Sequence, residues 1–170
     1  MGAFHSYTTA ITWTGAGTEG TASYTSYSRD HLVGAEGKPD ILASADPAFR
    51  GDPARHNPEE LFVASLSQCH MLWFLHMAAV AGVVVRSYTD TAVGTMRVES
   101  AGAGQFTEIE LRPRVIIDDD DAPDRDARIA ELHERAHAHC FISRSVNFPV
   151  RIIPAVRPAV AAAHAGHPFR

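Results

Sequence analysis

Cysteine is scarce in this chain: two among 170 residues, Cys69 and Cys140. No C-x-x-C joins them, which excludes a thioredoxin-type motif. Positive charge is short as well. Fifteen Lys and Arg stand against twenty Asp and Glu, a formal net charge of -5. Phosphate binding needs a basic surface, so nucleic acid is not the expected partner. No uninterrupted apolar run reaches the ~18 residues of a membrane span, so no membrane partner is expected either. Residues 1–10, MGAFHSYTTA, lack the basic-then-apolar plan of a signal peptide. The default expectation is a cytoplasmic protein. A permanent structural bridge is not expected there, which leaves free thiols or a working redox pair.

What is present suffices for a core: 45% hydrophobic and 21% charged residues. One domain over residues 1–153 is expected, followed by an Ala- and Pro-rich tail, 154–170, to which no structure is assigned. Residues 7–13 (YTTAITW) and 21–28 (TASYTSYS) read as a β-hairpin around Gly15 and Gly17, with 31–33 extending the sheet. Residues 34–57 form a long Gly- and Pro-rich connection, of a length often found to be functional.

Asn57 then opens a long helix. Asn is a preferred N-cap, Pro58 suits the first turn, and Glu60 completes a capping box. Apolar residues cover most of this helix around Cys69, which predicts a central core element ending at Gly82. Strands follow at 83–89, 91–99 and 106–117, with Pro113 marking an edge or bulge. The acidic run 118–121 reads as solvated charge before a second helix, 123–139. Cys140 stands at that helix's end, and residues 145–153 form a last strand. The order predicts an α+β domain with a mostly antiparallel sheet and two helices against it.

A thiol in the middle of an apolar helix is either a small core residue or a nucleophile. Burial alone would raise its pKa and leave it inert, and mid-helix it gains little from the dipole. An adjacent cation is needed, and Arg29 is the candidate, with Glu59 as the carboxylate that fixes the guanidinium. Glu59 and Cys69 lie ten residues apart, roughly 15 Å on a straight helix. Either the helix breaks between them, or Glu59 serves Cys69 of another chain; the second option is the expectation. His133, His137, His139 and Cys140 in HERAHAHC raise a zinc site as a weaker alternative. His70 points away from Cys69, and His76 reads as a satisfied core histidine.

NPEELFVASLSQCH (57–70) followed by HCFISRSVNFPV (139–150) resembles the OsmC/Ohr family of osmotically inducible and organic hydroperoxide resistance proteins. Glu59 and Cys69 keep the family's spacing, Cys140 and Ser143 keep its second motif, and Arg29 falls where its arginine is expected. Phe141 stands where proline is common in the family. With the long 34–56 connection, this points to the OsmC-like branch. The resemblance implies an intertwined homodimer with two long central helices and sites at the interface. It implies a thiol peroxidase: Cys69 as peroxidatic thiolate, Cys140 as resolving thiol, Arg29 as activating cation and Glu59 as its anchor. No cofactor or metal is implied, only an external dithiol reductant of lipoyl or other type. Phe62, Trp73 and Phe74 would then line a pocket for an organic hydroperoxide. The competing reading is a non-catalytic dimer of the same fold that binds a lipid or acyl ligand.

Overall fold

A computed structural model describes residues 2–155. Most of the expected tail lies outside the described residues. The chain divides into two compact units, Met1–Gln68 and Cys69–Arg170. The fold class is α+β, as the element order predicts.

In the first unit three strands form an antiparallel sheet, β1 (Ala10–Trp13), β2 (His31–Gly34) and β3 (Ile41–Ala43), in the order β1-β2-β3. The expected hairpin partner of β1 is replaced. Residues 21–28 are turns and bends, and β1 pairs instead with β2, Trp13 opposite His31. The reason is serine chemistry. Ser26 Oγ donates to the carbonyls of Gly20 and Ser23, which gives the backbone local partners in place of a ladder. Gly15 lets the two ends of this loop meet, since a Cβ there would lie 2.2 Å from the Ser28 carbonyl oxygen. The connection after β2 is also more ordered than expected, with β3 and a 3-10 turn at Pro47–Phe49.

The first helix, α1, runs Pro58–Val80 without a break. Its capping box forms as read: Glu60 N–H donates to Asn57 Oδ1 at 2.8 Å, and Asn57 N–H to Glu60 Oε2 at 3.2 Å. At the other end Gly82 adopts φ +69°, and Val83 N–H closes back onto the Ala78 carbonyl. Leu66, His70, Phe74, Met77 and Ala78 are buried along one face. The expected central core position is only partly met in one chain, because Leu72 and Val80 are 59% and 67% exposed. A helix apolar nearly all round has more apolar surface than one chain covers. By length and composition alone α1 could also cross a membrane, a test that core helices pass as well.

In the second unit α2 (Arg125–His139) packs its Ile129, Leu132 and Ala136 into a core with Phe74, Met77, Val83, Val115 and Ile117. The single strand expected at 106–117 is two. Buried Pro113, which has no N–H for a ladder, separates β6 (Gly104–Leu111) from β7 (Arg114–Ile117). The two halves join different sheets. β7 pairs antiparallel with β4 (Val85–Thr89). β6 lies between antiparallel β5 (Val93–Val98) and parallel β8 (Val150–Ile152). The acidic run is structural in part. Asp118 forms a double hydrogen bond with Arg86, and Asp120 pairs with the largely buried Arg125.

Candidate thiol site

The second unit brings the two cysteines together. Both thiols are free; Cys69 is half-buried on α1, and Cys140 is buried at the C-cap of α2. Cys69 lies close enough to act on the Cys140 thiol. Burial pushes the Cys140 thiol up to about 11, and the neighbouring Cys69 sulfur adds to the rise. Backbone N–H groups of Ser143 and Ile142 oppose it in part. Cys140 therefore keeps its proton at neutral pH. The helix ends here because Cys140 turns to an extended conformation (φ -64°, ψ 109°), its N–H still bonded to the His137 carbonyl.

Trp73, one turn beyond Cys69 on the same helix face, is half-buried. Its ring meets His76, His139 and Phe141 at centroid distances of 5.6, 5.1 and 5.3 Å. Phe74, by contrast, is fully buried in the core against Tyr88 and His133. It supports the helix packing and does not line a surface pocket beside the thiols. His76 is exposed and so is not a core histidine, whereas His70 is buried.

The first unit holds Arg29, Glu59 and Phe62. The Arg29 guanidinium lies 4.4 and 4.1 Å from the ring centroids of Tyr24 and Tyr27 and donates to both of their carbonyls. Two stacked rings and two hydrogen bonds fix its plane. Among the described residues no ion pair joins it to Glu59, whose carboxylate has no hydrogen-bond partner there. The expected pairing therefore does not form within one chain. Phe62 is half-buried, with its carbonyl accepting from Ser65 Oγ.

Sequence reasoning missed a buried histidine pair. His70 Nε2 and His133 Nδ1 are 3.0 Å apart, and their rings are within 10° of parallel. That separation is shorter than the ~3.5 Å at which ring faces touch, so the rings meet edge to edge, sharing one proton. Burial lowers His70 to about 4, with His137 contributing, and His133 to about 3, with His70 contributing. Both are neutral at pH 7. The signal was a polar residue at a core position of each helix, read here only on α1. Of the zinc alternative's donors, His133 is engaged through Nδ1 with His70. Among the described residues no three His, Cys, Asp or Glu side chains converge on a metal position. Two clefts of about 260 and 300 Å³ run along α2, sharing Ala130, His133 and Pro154, and neither includes a cysteine.

The OsmC-like protein family model matches residues 51–154, both cysteine segments included. The chain belongs to the OsmC-like family. An OsmC-like protein of unknown function from Vibrio cholerae is 37% identical, with TM-score 0.78 over 89% of this chain and all of that one. Two organic hydroperoxide resistance proteins share the fold at lower identity. The one from Elizabethkingia anophelis is 19% identical (TM-score 0.65; 92% of this chain, 100% of that one). OhrB of Bacillus subtilis is 18% identical (TM-score 0.61; 90% and 100%). No curated protein matches the chain.

Proposed function

We propose that the protein is a thiol peroxidase that reduces organic hydroperoxides to alcohols. The observation that carries this is the pairing of two free thiols from different helices, with Cys69 near enough to act on the buried Cys140 thiol. In the first step the Cys69 thiolate attacks the distal peroxide oxygen. The O–O bond breaks, the alkoxide takes a proton and leaves as alcohol, and Cys69 becomes a sulfenic acid. In the second step Cys140 attacks the oxidised sulfur. Its proton leaves with the hydroxide as water, and a disulfide remains. An external dithiol, lipoyl or other, then reduces the disulfide by exchange and is itself oxidised.

The two thiols suit these unequal roles. Cys140 holds its proton until a sulfenic acid is available, so it does not compete for peroxide. Arg29, fixed by Tyr24 and Tyr27, is the cation proposed to keep Cys69 anionic, with Glu59 as its anchor. Glu59 lies ten residues from Cys69 on an unbroken helix and has no ion-pair or hydrogen-bond partner among the described residues. Both facts support a homodimer in which it serves the partner's site. The apolar surface that α1 leaves exposed supports the same assembly. The hydroperoxide resistance proteins of the same fold agree with a peroxide substrate. The cycle needs a reducing compartment such as the cytoplasm.

The test is mass spectrometry after one equivalent of cumene hydroperoxide. Loss of two hydrogens with a Cys69–Cys140 crosslinked peptide is expected, together with turnover of organic peroxide above hydrogen peroxide. Negligible turnover of both, with several dithiols tried, overturns the proposal.

A further inference from the structure

The cysteine pair is bordered by aromatic rings that the thiol cycle itself does not use. Trp73 stands one turn from Cys69 on the same face of α1. The segment bearing Cys140 carries a ring on each side of the thiol, His139 and Phe141. His139 leans on the Trp73 indole at 39°, and its Nδ1–H donates to the Arg135 carbonyl at 2.8 Å, which fixes its orientation. Phe141 meets the same indole at 84°, edge to face. The residue is 65% exposed, although its neighbour Cys140 is buried.

Phe141 packs edge to face on Trp73 and leaves the rest of its surface in solvent beside a buried thiol. It also stands where proline is common in the family. Proline offers no flat ring. Two ring planes nearly perpendicular to each other form a corner. A third ring can stack on one wall while presenting its edge to the other, the arrangement that aromatic quadrupoles favour. A compact branched alkyl group gains contact area there but no such term, and hydrogen peroxide gains neither.

We propose that Phe141, with Trp73, selects the organic group of the hydroperoxide, favouring an aryl substituent over a small alkyl one. This rests on the peroxidase reading above and names the substrate class within it. His139 packs against the same indole.

The experiment compares kcat/KM for cumene, tert-butyl and hydrogen peroxides in the wild-type protein, Phe141→Ala and Phe141→Tyr. In a ping-pong cycle this parameter, taken for the peroxide, covers only the steps up to the sulfenic acid, so a disturbed disulfide step does not enter. The wild type prefers the cumene substrate. Phe141→Ala lowers the cumene to tert-butyl ratio by about three- to tenfold, the size of an aromatic pair contribution. Its value for hydrogen peroxide stays unchanged, and Phe141→Tyr keeps the wild-type ratio. An unchanged ratio in Phe141→Ala overturns the proposal. So does an equal fall for all three substrates, which packing of Phe141 against a second copy would produce. A wild type inactive on every peroxide overturns the peroxidase reading itself, whereas an active wild type with a flat ratio overturns only the role of Phe141.

Discussion

Cys140 lies against Cys69 with its proton held in place by burial and by the neighbouring sulfur. Cys140 is thus protonated before any peroxide arrives. Iodoacetamide reacts with thiolates, and at pH 7 it should label the half-buried Cys69 and spare Cys140. Labelling of Cys140 in the folded protein should begin only as pH approaches about 11. Peptide mapping after timed labelling checks the order. Faster modification of Cys140 at neutral pH would reverse the proposed roles.

The His70–His133 pair gives the fold an acid limit. The unfolded chain titrates its histidines near 6.5, whereas the folded chain holds these two at about 4 and about 3. Below pH ~6.5 the unfolded state therefore binds protons that the folded state refuses. The stabilisation is fully present above that pH and is lost as pH falls toward the folded values. Each histidine adds a slope of up to about 1.4 kcal/mol per pH unit. Urea unfolding between pH 7.5 and 4.5 should show this slope, and His133→Phe should flatten it by one histidine's share. Equal slopes in the two proteins would count against the pair.

Local signals in this sequence were legible, and choices between faces were not. The α1 capping box, the Gly82 stop and the Cys140 helix end all depend on residues a few positions apart, and each forms as read. The faces of α1 were hidden because apolar residues surround it. Nothing in the spacing says that Phe74 enters the core while Trp73 stays at its margin, or that His70 is buried and His76 exposed. Strand pairing failed for a different reason. Residues 21–28 alternate as a strand should, but their serines bond locally. Pro113 was visible as an interruption, although which sheets its two sides would join depends on distant partners.

The capping box offers a stability test separate from the chemistry. Asn57 is largely buried, and its side chain satisfies the Glu60 N–H. Asn57→Ala should cost about 1 kcal/mol. For a chain of this size that corresponds to a fall in Tm of about 2–4 °C. Thermal melts at neutral pH measure it, with Cys69 labelling kept as a check that the site is intact. No change in Tm would mean that tertiary packing alone fixes the start of α1.

Glu59 and Cys69 share one unbroken helix at a separation of ten residues, roughly 15 Å of rise. A carboxylate that serves the thiol at that distance must come from a second chain, and this has a consequence for mixed dimers. Glu59→Gln and Cys69→Ser should each lose activity alone. In a heterodimer of the two variants, the Glu59→Gln chain supplies a normal Cys69 and the Cys69→Ser chain a normal Glu59. One of its two sites is then complete. With random pairing half of the dimers are mixed, so co-expression should restore about a quarter of wild-type activity in a two-fold assembly. If Glu59 acts on Cys69 of its own chain, no mixed dimer contains a complete site and nothing is restored. Activity of differently tagged, co-purified chains distinguishes the two outcomes. A light-scattering mass of one chain would remove the shared site altogether.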